Sequence, residues 1–333
     1  MKTIFLCEQS SKLFRVYDAE TVSKLRCLTD IEKRIYTKED ICNDPAQFAQ
    51  VEIIFSTWGM PVFTEEEIRM FLPHLQCVFY GAGSVQSFVQ PFLNCGVKVF
   101  SAWAANAVPV AEMAVAQIIL ANKGYFLSSR MYHTEGHLAA RAVCDQCRGN
   151  YGETVGIIGA GMVGKLVVRM LKAYQLDVIV FDPFLSEEQA AELGVKKCDL
   201  PTLFEKAFVV SNHLANNAQT KGILRYDLFS RMRKNSVFIN TGRGAQIVED
   251  DLVRILQERQ DLTALLDVTF PEPPVANHPF YSLPNCHMTP HIAGSEGDEV
   301  ARMGAYMAQE FEAYRSSMPC RYEVTSAMLA TMA

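Results

Sequence analysis

The chain has 333 residues, 49% of them apolar and 20% charged, more than one hydrophobic core ordinarily supports, so two globular domains are predicted rather than a disordered or fibrous chain. A formal net charge of -6 leaves no surplus of Lys and Arg to neutralise phosphates, which argues against nucleic acid as a partner. The 10 cysteines are scattered behind a start, Met1-Lys2-Thr3-Ile4, that lacks a signal-peptide pattern, so reduced thiols and a cytoplasmic location are expected.

Four short apolar runs open the chain: Ile4 to Cys7, Val51 to Ser56, Cys77 to Tyr80 and Val97 to Phe100. Amphipathic segments separate them, the pattern of parallel strands joined by crossover helices. The alanine-rich stretch Ser101 to Pro109 predicts a domain crossover into an apolar helix, Val108 to Ala121, with Pro109 in its first turn. That helix is read as too short to span a bilayer, and it carries Glu112 and Gln117, so no membrane segment is expected.

From Thr154 the pattern restarts with Val155 to Ile158, Val178 to Phe181, Phe208 to Val210, Val237 to Ile239 and Leu262 to Leu266. Five such runs with helices between them predict a doubly wound sheet. A final amphipathic stretch, Glu296 to Tyr314, is expected to be helical and to return to the first domain. The predicted class is therefore α/β with two doubly wound parallel-sheet domains, residues 1–104 with 296–333 forming one and residues 105–295 the other.

Gly159-Ala160-Gly161-Met162-Val163-Gly164 follows a predicted strand and opens a predicted helix. In that context the glycines allow a tight turn, and the backbone N–H groups of Gly161, Met162 and Val163 face a pyrophosphate at the helix N-terminus. Asp182 ends the next strand about twenty residues on, where a carboxylate accepts from ribose hydroxyls and repels a 2'-phosphate. Pro183 and Phe184 follow it in place of an arginine, which favours NAD over NADP.

Three more residues sit just after apolar runs: Arg243 in Asn240-Thr241-Gly242-Arg243-Gly244, Glu272 in Asp267 to Pro273, and His291 in Thr289-Pro290-His291-Ile292-Ala293-Gly294. Loops at the carboxyl ends of strands in an open α/β sheet meet in one crevice, so the three can converge. Each alone reads as an ordinary surface or loop residue.

This set, in this order, resembles the D-isomer-specific 2-hydroxyacid dehydrogenases, the family of phosphoglycerate dehydrogenase and glyoxylate/hydroxypyruvate reductase. The resemblance runs from Val51 to Gly294. It implies an NAD-binding Rossmann domain inserted into a discontinuous, flavodoxin-like substrate domain, and a homodimer. It also implies that Arg243 holds the substrate, that His291 is the general acid and base, and that Glu272 orients its imidazole and favours its charged form. Thr241, Asp267 and His213 match cofactor-side positions near the nicotinamide, and Asn217 stands in the adenosine region. Ala82 and Gly83 resemble a turn whose N–H groups hold the substrate carboxylate. Trp58 is a candidate to shape the substrate side-chain pocket, with Met60, Tyr80 and Trp103. Ser84-Val85-Gln86 and the bulky loop Thr57-Trp58-Gly59-Met60-Pro61 depart from common members, so the acid used is left open.

His133 and His137 lie one helical turn apart, with Cys144 and Cys147 following, a spacing that zinc can use. No second motif accompanies them and the family has no metal there, so no metal is expected. A second class of function is a corepressor or sensor that binds NADH with little turnover, against which the intact trio argues. A small 2-hydroxy or 2-oxo acid remains the expected partner.

Overall fold

The computed structural model describes residues 1–329. Two compact units divide the chain, Met1–Asn106 with Ser295–Ala333 and Ala107–Gly294. Positions 330–333 of the predicted 296–333 segment lie outside the described residues. Strands among the described residues are, in order, β1 Thr3–Leu6, β2 Ile35–Tyr36, β3 Ile53–Ser56, β4 Cys77–Tyr80, β5 Lys98–Ser101, β6 Tyr151–Ile158, β7 Gln175–Phe181, β8 Lys196–Lys197, β9 Val209–Asn212, β10 Val237–Asn240, β11 Thr263–Leu266, β12 Cys286–Met288 and β13 Glu323–Val324.

The discontinuous unit holds a sheet in the order β13-β5-β4-β3-β1-β2, parallel except for β13. Its five parallel strands follow the flavodoxin-like order. Every residue of β1, β3 and β4 is buried, because helices cover both faces of a parallel sheet. Alternate side chains serve opposite faces: Ile4, Leu6, Ile54 and Val78 enter one core, and Phe5, Phe55, Phe79 and Phe100 the other.

Register aligns those four phenylalanines in one row across β1, β3, β4 and β5. Phe79 stacks on Phe100 at 4.7 Å and on Phe55 at 5.2 Å, close to the spacing of neighbouring strands. Helix Val300–Arg315 lays Met303, Met307 and Phe311 over this row, with Phe311 edge-on to Phe55 and Phe79 at 5.4 Å. On the same helix the buried Glu310 carboxylate accepts from the N–H groups of Arg321 and Tyr322, fixing the approach to β13.

Unit Ala107–Gly294 holds seven parallel strands in the order β12-β11-β10-β9-β6-β7-β8. The order reverses between β6 and β9, the place where open α/β sheets bind ligands, and the glycine loop leaves β6 there. Both sheets are the doubly wound α/β type expected.

Four short strands, β2, β8, β12 and β13, have no counterpart in the sequence reading, because two or three residues carry too little alternation to register. The apolar helix also begins earlier than expected, at Trp103, and runs to Asn122. Pro109 is thus inside the helix and not in its first turn. The alanines at 104, 105 and 107 carry the extra turn, at the cost of the bond Ala105 would otherwise receive. Its 20 residues and mean hydropathy of 1.5 make it long and apolar enough to cross a bilayer by length and composition, which corrects the expectation that it is too short. Within its unit Ala111, Ala114, Ile118 and Ala121 form one stripe packed into the core beside Ile157 and Val209.

Candidate active site

The loop after β6 is shaped by what its glycines touch. Gly159 has φ +90°, and a Cβ there would stand 2.8 Å from the His213 backbone, so only glycine allows the two chains to meet. Gly161 faces open space, where a Cβ would meet nothing within 4 Å. It precedes helix Met162–Leu171, whose first turn has neither a side-chain cap nor an acidic residue. An open cradle against an uncapped helix N-terminus fits a pyrophosphate. Asp182, just past β7, accepts from Ala160 N–H at 2.6 Å and from Phe184 N–H at 2.7 Å, which ties the cradle to the end of β7.

Beside the cradle, His213 Nε2 is 2.9 Å from Ser211 Oγ, and its Nδ1 is 3.4 Å from Thr241 Oγ1. Burial pushes this imidazole down to about 4, so it is neutral at neutral pH. The unfolded chain takes up a proton near pH 6.5 and the folded chain only near 4. Stability is therefore lost as pH falls through that window, by up to about 3 kcal/mol. Denaturant titrations should show wild-type stability falling by that amount relative to His213→Asn between pH 6.5 and 4, and parallel curves would refute a buried neutral ring. Asn217 turns its side-chain oxygen onto the N–H groups of Gln219 and Thr220, both at 3.0 Å, capping its own turn.

Arg243, Glu272 and His291 all belong to the same unit. Arg243 follows β10, and its Nη1 donates to Gly242 O at 2.8 Å. Burial lowers its guanidinium from the ordinary arginine value while the nearby Glu272 carboxylate raises it, and it stays protonated. A Cβ on Gly244 would stand 2.0 Å from the Thr269 carbonyl carbon, so glycine at 244 lets the Arg243 turn lie against the chain leading to Glu272. Glu272 Oε1 meets His291 Nδ1 at 2.7 Å, with the two side chains 42% and 46% exposed. Glu272 is thus the residue that joins the trio.

The His291 loop hangs from Asp267, which is 3% exposed. One oxygen accepts from Thr289 Oγ1 at 2.6 Å and Ile292 N–H at 2.8 Å, and the other from Ala293 N–H at 2.9 Å. His291 N–H also donates to the Asp267 carbonyl at 3.0 Å. These bonds hold His291 at φ +56°, a left-handed conformation that costs a non-glycine residue about 1–3 kcal/mol. Asp267 was expected at the cofactor; its carboxylate is engaged by the loop that carries the histidine.

Residues 116–293 match the family described as D-isomer specific 2-hydroxyacid dehydrogenase, NAD binding domain. The chain belongs to this family. Among curated relatives, D-3-phosphoglycerate dehydrogenase of Archaeoglobus fulgidus is 29% identical over 229 residues, 69% of this chain and 43% of that protein. The Bacillus subtilis D-3-phosphoglycerate dehydrogenase is 32% identical over 169 residues, 51% of this chain and 32% of the relative. The chain thus spans less than half the length of these two relatives. The apo D-mandelate dehydrogenase of Rhodotorula graminis shares the fold, with a TM-score of 0.82 at 16% identity over 98% of each chain.

In the discontinuous unit of this dehydrogenase-family chain, the turn Gly81–Gly83 follows β4. Ser101 Oγ donates to the carbonyls of Ala82 and Gly83 at 2.9 and 2.6 Å, whereas the N–H groups of those two residues have no partner among the described residues. Trp58 is partly buried, its carbonyl accepts from the Cys7 thiol at 3.1 Å, and the Lys12 ammonium lies 5.7 Å from its ring centroid. Met60 and Tyr80, which sequence suggested for a pocket, are core residues, 8% and 6% exposed. Trp103 packs edge-on to Tyr322. Asn106 accepts from Ser295 N–H at 2.9 Å, a tie across 189 residues that no local pattern announces.

His133 and His137 flank the Tyr132 ring, and the Cys147 thiol donates to Val143 O. Among the described residues no group of three or more His, Cys, Asp and Glu side chains is arranged to hold a metal ion.

Proposed function

We propose that this chain is an NAD-dependent oxidoreductase that moves a hydride to or from C2 of a small D-2-hydroxy or 2-oxo acid. The observation that carries the reading is the 2.7 Å His291–Glu272 pair with the Arg243 guanidinium beside the same carboxylate. When bound, a reduced nicotinamide supplies the hydride, which leaves the protein to hold the acid and deliver one proton. Arg243 offers a planar, permanently charged fork for the carboxylate or carbonyl oxygen. An ionised Glu272 only accepts, so Nδ1 of His291 carries the hydrogen of their bond and Nε2 is the nitrogen that gives or takes the proton at the C2 oxygen. In the discontinuous unit the N–H groups of Ala82 and Gly83, without a partner among the described residues, are the proposed carboxylate contacts, and Trp58 the proposed side-chain contact.

For the cofactor, Gly159, Gly161, Met162, Val163 and Gly164 would cradle the pyrophosphate. Asp182 would face the adenosine ribose, with Asn217 beyond it, and His213, Thr241 and Asp267 would stand toward the nicotinamide. The exposed Phe184 beside Asp182 offers no charge for a 2'-phosphate, which supports NAD over NADP. Ten free cysteines suit a reducing, cytoplasmic setting. The partly buried Val108 and Met113 and the exposed Leu120 of helix Trp103–Asn122 suit a second copy of the chain.

Nicotinamide absorbance, followed over a panel of 2-oxo acids of increasing side-chain size, tests the proposal. At least one acid should be reduced, with kcat/KM at least about tenfold higher with NADH than with NADPH. NADH binding without turnover of any acid would reject the enzyme in favour of a sensor.

A further inference from the structure

We infer that Gln246 is a positioning residue whose single buried amide locks the Arg243 turn to the loop that follows His213. The inference deepens the reading of Arg243 as the substrate-binding group and rests on it. Gln246 is fully buried in the short 3-10 turn Gly244–Gln246. Its Oε1 accepts from Asn212 Nδ2 at 2.6 Å and from the Arg243 N–H at 3.3 Å. Its Nε2 donates to the carbonyls of Leu214 at 2.8 Å and Ala215 at 2.9 Å. Both donors and both acceptor sites are thereby used. Turning the amide over would set N–H against N–H and oxygen against oxygen, so one orientation satisfies the site.

The strand register supplies the rest of the lock. Asn212 and Asn240 are paired positions on β9 and β10, both fully buried, and Asn212 Nδ2 donates to Asn240 Oδ1 at 2.9 Å. Asn240 Nδ2 in turn donates to Arg243 O at 3.2 Å, and its Oδ1 accepts from Gly242 N–H at 3.1 Å. The backbone N–H of Arg243 is thus held by Gln246 and its carbonyl by Asn240. Three buried amides are costly unless all are satisfied, and here they are spent on the segment that aims one guanidinium. An apolar residue at 246 would strand two carbonyls of the 213–215 loop and the N–H of Arg243 together. That loop follows the cofactor-side His213, so Gln246 couples the two halves of the proposed site through their backbones.

The test uses Gln246→Leu, Gln246→Glu and the core control Leu252→Ala, which truncates a fully buried side chain outside the site. Wild type and Arg243→Ala are measured first on the 2-oxo acid panel, so that an inert wild type, or an Arg243→Ala enzyme with unchanged KM, identifies failure of the functional reading. In Gln246→Leu the KM for the responsive acid should rise about tenfold or more with a kcat change under about threefold. Gln246→Glu keeps the oxygen that meets Arg243 and loses the amide donors, so the NADH Kd should rise more than the acid's KM. Amide hydrogen exchange supplies a readout independent of turnover and of whether the leucine variant is stable enough for kinetics. The peptide covering residues 240–247 should lose protection at least about tenfold in Gln246→Leu, and the peptide covering residues 212–216, whose carbonyls lose their donors, should do so in Gln246→Glu, with neither changed in Leu252→Ala. Unchanged exchange at residues 212–216 in Gln246→Glu, or KM shifts in Leu252→Ala equal to those in Gln246→Leu, would overturn the assignment.

Discussion

His291→Asn is expected to lower kcat for 2-oxo acid reduction by about two to four decades while leaving the NADH Kd within about threefold. Asparagine can still bond to Glu272 but cannot exchange a proton near neutral pH, so the loss isolates proton transfer from binding. The side chain is 46% exposed, so its removal opens no cavity, and the fold should persist. The left-handed backbone at 291 also suits asparagine better than most other residues. Single-turnover rates with pre-bound NADH would measure the step directly. A rate equal to wild type would remove His291 from the chemistry.

Arg243→Ala acts on a different constant. Arg243 is partly buried, and burial already weakens its guanidinium's hold on the proton, so it meets a carboxylate with less solvent competition than a surface arginine would. Loss of such a partner costs about 2–5 kcal/mol, which raises KM by about 1.5 to 3.5 decades and leaves the proton donor in place. Arg243→Lys should recover only part of this, because a point charge lacks the planar fork. Initial-rate curves that saturate at the wild-type acid concentration in Arg243→Ala would refute the role. The pair of variants therefore separates holding the acid from protonating it.

Strands buried on both faces were legible from sequence because their apolar runs are continuous: Ile53–Ser56 and Val237–Asn240 lie where the runs ending at Ser56 and Ile239 place them. The early halves of β6 and β7 were not, since Tyr151 and Gln175 are exposed and interrupt the pattern. Pro109 misled for a definite reason: a proline marks a helix start on average, yet the alanines before it are strong enough helix formers to carry the helix past that point. At the site, residue types with intrinsic chemistry stood out, whereas their supports did not. A glutamine at 246 reads as a surface residue, and its burial follows from β9 and β10 lying side by side. The engagement of Asp267 with the 289–293 loop likewise depends on a return of the chain that spacing alone does not encode.

The row of Phe5, Phe55, Phe79 and Phe100 is covered by Met303, Met307 and Phe311, residues that the ribosome adds only after the whole Ala107–Gly294 unit has been made. Phe14 and Tyr17 already pack on Phe5 and Phe55, so during synthesis the first hundred residues emerge with the Phe79 and Phe100 end of that face still bare, while the later-emerging unit already has all of its own strands. Birth order and completion order are reversed, and the nascent N-terminal segment is the part that a holdase chaperone would have to shield until helix Val300–Arg315 arrives.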